Sequence, residues 1–378
     1  MDKVEPRELT AIRPEPAGAL AERRAFWRGR RVLVTGHTGF IGGWLAHALA
    51  LLEAKVAGYA DAVPTEPSLF AATRLDEIIA DHRGDIADWR RLDDIVARHD
   101  PSIVFHLAAQ PLVRRAFRDP FETYRANVLG TVAMLEALRN GRSIELGVLM
   151  TTDKVYRNKE WPWAYREADE LGGREPYGLS KAMAEMAISQ YRDCYFSPGG
   201  RPAPRLVSVR AGNVIGGGDW SDDRLVPDAV RAWSRGQTLE VRSPHATRPW
   251  QHVLDVAHAM LLLAERSCAG TADLRPAYNI GPDPGSSVPV GALVEMLAAS
   301  WGTDARYKFE SGAAKVPESQ LLSVDSSLLR SDLGWRPRLR LANAVQHTIE
   351  WYRVFLRDPA AARPITLEQI TGFLDAAS

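Results

Sequence analysis

Two groups of residues in this 378-residue chain are spaced for chemistry. The first is Tyr177-Gly178-Leu179-Ser180-Lys181, which opens a helical stretch; a separation of four puts the phenol and the amine on one face. A phenol with its ordinary pKa of about 10 is a poor base at neutral pH. A lysine cation beside it favours the phenolate and equips it to deprotonate an alcohol. The second group is the glycine turn at Gly36, Gly39 and Gly42, which sits between the apolar run Arg31–Thr35 and an amphipathic stretch. Strand, Gly-x-x-Gly-x-x-Gly and helix together suit a dinucleotide. Gly36 permits the tight turn, Gly39 lets backbone N–H groups approach a pyrophosphate, and Gly42 allows close packing of helix on strand.

Thr38, Phe40 and Ile41 complete that turn. Asp61 follows about 20 positions after Gly42, where a carboxylate accepts hydrogen bonds from ribose hydroxyls and repels a ribose phosphate, so NAD is expected rather than NADP. Asp85, with Ile86 beside it, follows the third strand and is placed to meet an adenine amino group. Leu107 ends the fourth strand, Ala108 and Ala109 follow it, and Thr151 lies at the end of the fifth, along the rim where parallel sheets bind ligands.

These residues need a frame. Strands are expected at Arg31–Thr35, Ala54–Tyr59, Ile79–Gly84, Ser102–Leu107, Leu146–Thr151 and Leu206–Arg210, separated by helices such as Arg90–His99, Pro120–Arg139 and Tyr177–Tyr195. Such alternation calls for right-handed crossovers and an α/β fold: a doubly wound parallel Rossmann sheet with a smaller, discontinuous C-terminal substrate-binding lobe. The expected division is an N-terminal extension at 1–25, an NAD-binding domain at 26–215 with a returning segment at about 247–267, and a second lobe at 216–246 and 268–378. The extension has room for a short helix at Gly18–Phe26, although a mobile segment is the simpler reading.

Lys plus Arg equals Asp plus Glu at 47 each, so no net field draws the chain to nucleic acid or an anionic membrane. Cys194 and Cys268 form no Cys-x-x-Cys pair and read as reduced thiols, with no metal expected. With no signal-peptide pattern or membrane-length apolar run, a cytoplasmic location is expected.

The glycine turn, the Tyr177/Lys181 pair and the strand end Thr151-Thr152-Asp153-Lys154 resemble the extended short-chain dehydrogenases that modify nucleotide sugars. Longer stretches are similar to the family branch that dehydrates CDP-glucose across C4 to C6. They are Thr35-Gly36-His37-Thr38-Gly39-Phe40, Pro64-Thr65-Glu66-Pro67-Ser68-Leu69-Phe70, Leu107-Ala108-Ala109-Gln110-Pro111-Leu112-Val113-Arg114, Gly212-Asn213-Val214-Ile215-Gly216-Gly217-Gly218-Asp219-Trp220 and Arg248-Pro249-Trp250-Gln251-His252-Val253. The resemblance runs from about Trp27 to the C-terminus. It implies that Asp153 protonates a departing hydroxyl and that Lys154 removes the C5 proton, its pKa lowered by burial beside Lys181 and the nicotinamide. Epimerases of the family usually carry small neutral residues in place of Asp153 and Lys154. The resemblance further implies that Gln110 and Thr152 lie near the sugar, Asn213 and Arg248 near the diphosphate, and Arg224 and Glu318 nearby. The segment Lys159 to Arg166 lies over the site by the same comparison. A homodimer or homotetramer paired through a four-helix bundle is also implied. Dehydration of another nucleotide sugar, 4-epimerisation, and a non-enzymatic NAD-binding scaffold or sensor are the other readings. Two residues depart from the pattern: Ile41 stands where many members have lysine, which favours firm NAD retention, and Pro317 where a histidine is usual.

Overall fold

The computed structural model describes residues 12–13, 18–196, 204–283, 287–310 and 320–376. All six expected strands form: Arg31–Thr35 (β1), Lys55–Ala60 (β2), Ala80–Arg83 (β3), Ile103–His106 (β4), Leu146–Thr152 (β5) and Arg205–Ala211 (β6). A seventh, Ala277–Ile280 (β7), pairs with β6. The sheet runs β7-β6-β5-β4-β1-β2-β3 with every pairing parallel. Its order reverses between β1 and β4, which opens a crevice at the carboxyl ends of those strands.

Alternate residues of β1, β2, β4, β5 and β6 feed two cores, as a sheet covered on both faces requires. Val32, Val34, Phe105 and Val148 pack on one side with Trp27, Trp44 and residues of the Val253–Cys268 helix. Leu33, Tyr59 and Val104 pack on the other with Leu92, Ile95, Met134 and Leu138.

Two boundaries differ from the sequence-based division. β7 lies inside 268–378, the stretch expected wholly in the second lobe, so the return to the main sheet extends to Ile280. Four buried residues next to Gly281-Pro282 are too short for a periodic signal and read locally as a bend. In the N-terminal extension, Ala19–Trp27 is a docked helix rather than a mobile segment. Trp27 is fully buried and donates through Nε1 to Glu265 Oε1 at 2.7 Å, and Arg23 Nε meets the same oxygen at 2.8 Å.

The expected Pro120–Arg139 helix is helical but not uniform. A π-type turn at Arg125–Leu129 separates Pro120–Tyr124 from Gly130–Asn140. The second lobe contains the Leu225–Ser234 and Val290–Trp301 helices and a parallel pair of strands, Thr238–Val241 with Arg306–Phe309. Among the described residues, no helix is long and apolar enough to cross a membrane. Glu318 and Pro317 lie outside the described residues.

Candidate active site

A cleft of about 1060 Å³ follows the crevice from the glycine turn into the second lobe. Apart from Glu318, every residue singled out from the sequence for cofactor, sugar or proton transfer lines it.

At the glycine turn, Gly36 has φ +75°, and a β-carbon there would lie 2.7 Å from the backbone nitrogen of Ala108. A β-carbon on Gly42 would lie 2.2 Å from the Gly36 carbonyl oxygen. Gly39 is less crowded, its nearest neighbour being that same oxygen at 3.3 Å. The helix that follows, Phe40–Leu51, has no side-chain cap and no acidic residue in its first turn. Its first N–H groups therefore lack a resident anion, and the turn fits a pyrophosphate.

Buried side chains fix this turn from below. Thr35 Oγ1 lies 2.8 Å from His106 Nδ1 and accepts from the N–H groups of Leu107 and Ala108, both at 3.2 Å. Burial holds the His106 imidazole down to about 3, so it is neutral. His37 Nε2 lies 2.8 Å from Asp81 Oδ1, and Gly58 leaves room for the ring: a β-carbon there would be 2.3 Å from it.

At the adenosine end, Asp61 is exposed just past β2, and Thr38 Oγ1 donates to the Ala62 carbonyl at 2.9 Å. Asp85 is already engaged. Its Oδ1 accepts from the Ala87 N–H at 2.9 Å and its Oδ2 is paired with Arg125, which also holds Glu122. Ile86 packs beneath Gly130.

The Pro176–Tyr195 helix begins where Glu175 accepts from the N–H groups of Tyr177 and Gly178, both at 2.7 Å, with Pro176 in the first turn. Gly178 permits close approach to the Lys154 carbonyl, 2.7 Å from where a β-carbon would stand. Tyr177 and Lys181 are both buried. Burial pushes the phenol up to about 12, opposed by a hydrogen bond with Thr152 and the charge of Arg224. Burial likewise lowers the amine to about 8, against the field of Glu185, and Nζ donates to the Met150 carbonyl at 3.0 Å.

Asp153 and Lys154 sit on a short 3₁₀ turn that continues β5. Thr152 Oγ1 donates to Asp153 Oδ1 at 3.0 Å, while Asp153 Oδ2 is buried with no hydrogen-bond partner among the described residues. Lys154 is half-buried, more open than the burial that the resemblance implied, because its turn lies at the cleft wall.

On the sugar side, the Gln110 side chain is largely spent within the protein: Oε1 accepts from Leu112 N–H at 2.7 Å, and Nε2 donates to Thr123 Oγ1 at 2.8 Å. Arg224 pairs with Asp219 at 3.2 Å, Arg248 Nη1 donates to the Thr247 carbonyl at 2.9 Å, and the Asn213 carbonyl accepts from Gln251 N–H at 3.0 Å.

Sequence reasoning missed Asn127, Glu185 and Arg210. Asn127, in the π-type turn, accepts from the Gln110 N–H at 2.8 Å and donates to Ser180 Oγ at 2.9 Å, joining the sugar-side loop to the tyrosine helix. Glu185 repeats the four-residue spacing beyond Lys181, a signal available in the sequence; Arg210, on β6, left none.

Fold and cleft define the class of dinucleotide-dependent enzymes with a buried tyrosine–lysine pair. The model of the NAD dependent epimerase/dehydratase family matches residues 32–281; the chain belongs to that family, and its cofactor is NAD. It is 42% identical over 334 residues to a CDP-glucose 4,6-dehydratase of Salmonella typhimurium, covering 88% of this chain and 93% of that one. A UDP-glucose 4-epimerase of Rhizobium leguminosarum bv. trifolii is 28% identical, over 86% of this chain and 98% of that one. The solved dTDP-glucose 4,6-dehydratase of Bacillus anthracis, in complex with NAD, shares the fold at a TM-score of 0.72 and 21% identity, over 89% of this chain and all of that one (100%).

Proposed function

We propose that this chain removes water from CDP-glucose to give the 4-keto-6-deoxy sugar nucleotide. The observation that carries the reading is the placement of Asp153 and Lys154 in the same cleft wall as Tyr177 and Lys181; the 42% identity to a CDP-glucose 4,6-dehydratase supports the choice of substrate. The glycine turn, Asp61 and the uncapped helix hold the cofactor. When bound, NAD supplies a hydride acceptor for C4 and gives that hydride back at C6.

The chain's own groups move the protons. Tyr177, with Lys181 behind it, takes the C4 hydroxyl proton. A ketone at C4 acidifies the C5 hydrogen, which Lys154 removes. Asp153 gives a proton to the departing C6 hydroxyl, Oδ2 being the carboxylate oxygen without another partner among the described residues. Lys154 then returns its proton to C5, and the proton on Tyr177 balances the one Asp153 gave. Thr152 and the Gln110 loop flank the sugar; Asn213, Arg224 and Arg248 face the diphosphate, where amides and guanidinium groups suit phosphate oxygens.

The enzyme pairs into a homodimer or a homotetramer through exposed apolar residues on the Pro176–Tyr195 helix and its neighbours, and it works in the cytoplasm. Incubation of the purified protein with NAD and CDP-, dTDP- or UDP-glucose tests the reading. The expected result is loss of one water from CDP-glucose, alkaline absorbance of a 4-keto sugar and no net NADH. Unchanged mass with inverted C4 makes the protein an epimerase, and no turnover of any of the three makes it an NAD-binding scaffold.

A further inference from the structure

One turn beyond Lys181, the Pro176–Tyr195 helix carries a second buried charge that the proton transfers above do not use. Glu185 is 5% exposed and Lys181 is 4% exposed. Glu185 Oε1 accepts from Thr151 Oγ1 at 2.5 Å, and its Oε2 accepts from Ser208 Oγ and from Arg210 Nη2, both at 2.8 Å. The carboxylate thus spans the helix, β5 and β6, directly beneath the strand end that carries Thr152 and Asp153.

We propose that Glu185 is a positioning residue that keeps Lys181 protonated in its buried setting, so that Tyr177 works beside a cation. The inference rests on the reading of Tyr177 as the base and Lys181 as its charged neighbour. An ammonium this deeply buried sheds its proton easily unless an anion faces it. The four-residue spacing puts Glu185 on the Lys181 face of the helix, and the two meet adjacent residues of β5 without a direct ion pair, the amine at the Met150 carbonyl and the carboxylate at the Thr151 hydroxyl. Two further carboxylates, Asp153 and Glu175, act on Tyr177, whereas Glu185 is the carboxylate whose charge acts on Lys181. His106, from β4, is held neutral by burial and by the charge of Lys181, so it supplies no anion. Tyr177, one turn earlier, is a neutral phenol before reaction. Arg210, from β6, and Arg192, further along the helix, face Glu185 and are cations.

Glu185 remains ionised although burial opposes it, because Arg210, Thr151 and Ser208 together outweigh that cost. Arg210 is in turn held by donation to Tyr156 Oη and to the Glu167 carbonyl, both at 2.9 Å. If the carboxylate served only to join strands and helix, a neutral amide would fill the place with similar bonds and without a buried charge. An amide cannot hold a proton on Lys181.

Two measurements test this on the full-length protein. The first is the pH dependence of carbamylation of Lys181 by cyanate, read from peptide mass, which needs no turnover. Glu185→Gln is expected to bring Lys181 into its reactive, neutral form about one pH unit lower than in the wild type, a tenfold change in the neutral fraction. Glu185→Asp, which keeps the charge but withdraws it by one methylene, shifts it in the same direction by less. The second is kcat against pH on the sugar nucleotide. The alkaline limb of Glu185→Gln moves to lower pH, and activity recovers toward the wild-type value at pH 6.5. A Lys181 profile that stays in place in whichever variant is soluble, or a loss of kcat that is uniform across pH, overturns the proposal. Absence of turnover in the wild type would instead overturn the assigned reaction, and the carbamylation profile would still decide the role of Glu185.

Discussion

A β-carbon on Gly36 would stand 2.7 Å from the backbone nitrogen of Ala108, so the turn after β1 touches the strand end of β4 with no space for a side chain. The φ of +75° at Gly36 adds a backbone preference that alanine does not share. Gly36→Ala is therefore expected to cost about 1–3 kcal/mol in strain and to weaken NAD binding at least tenfold. Gly39→Ala, facing a single carbonyl at 3.3 Å, should leave thermal stability nearer the wild type while still obstructing the pyrophosphate. Calorimetric titration with NAD and thermal melts separate the two effects. With isoleucine at position 41, wild-type protein should be isolated with NAD attached; protein that purifies free of nucleotide and binds it only at millimolar levels would refute this.

The roles of Asp153, Lys154 and Tyr177 can be resolved step by step in deuterated buffer. Lys154→Ala should abolish exchange of the C5 hydrogen and lower kcat by about 10²–10⁴-fold. Asp153→Asn should slow loss of the C6 hydroxyl by a similar factor while leaving oxidation at C4 detectable. Tyr177→Phe should block the sequence before any C5 exchange. Mass spectrometry of the recovered sugar nucleotide reads each stage, and wild-type C5 exchange in Lys154→Ala would remove lysine as the base.

Phe121, Leu129 and Met186 are 74%, 57% and 53% exposed on helices that pack side by side. Exposed apolar residues gathered in this way mark an interface. Leu129→Glu combined with Met186→Glu is expected to convert the proposed oligomer to monomer with the fold intact, as read by light scattering and circular dichroism. An unchanged molar mass would move the subunit contact elsewhere.

Asp255 links pH to stability away from the cleft. It accepts from the Arg338 N–H at 2.6 Å, and burial pushes its carboxyl up to about 7 from the ordinary 3.8. Between those values the native state holds a proton that the unfolded chain has released, so this contribution falls as pH rises through the window and is lost above it. Asp255→Asn keeps an acceptor for Arg338 without the titration, although its amide nitrogen would face the N–H of Leu339. Relative to wild type, the variant is expected to gain on the order of a few kcal/mol between pH 4 and pH 8. Urea midpoints at the two pH values measure that difference, and a constant gap would show that Asp255 does not titrate there.

The cofactor half of the site was readable because its parts are close in sequence. Three glycines within one turn and a tyrosine and lysine four residues apart are placed by local geometry alone, and the structure keeps both arrangements. The doubly wound sheet was legible for the same reason, each strand carrying its own apolar run. β7 was not, since four buried residues beside a Gly-Pro bend have no period to detect. The docking of Trp27 depends on Glu265, far along the chain in the returning helix.

At the adenosine and sugar ends of the cleft, residue type was a poorer guide, because it does not say which polar atoms are already used. Asp85 was expected to face adenine and is held by Arg125, while Gln110 was expected to face the sugar and holds its own loop through Leu112 and Thr123. By itself, the sequence determined that a phenol and an amine share one helix face downstream of a turn made for a dinucleotide, because covalent spacing sets those distances. Only the tertiary structure decided that the lysine is buried above Glu185, itself held by Arg210 from another strand. Burial and opposing charge, which set whether an amine keeps its proton, depend on residues that meet only when the sheet closes.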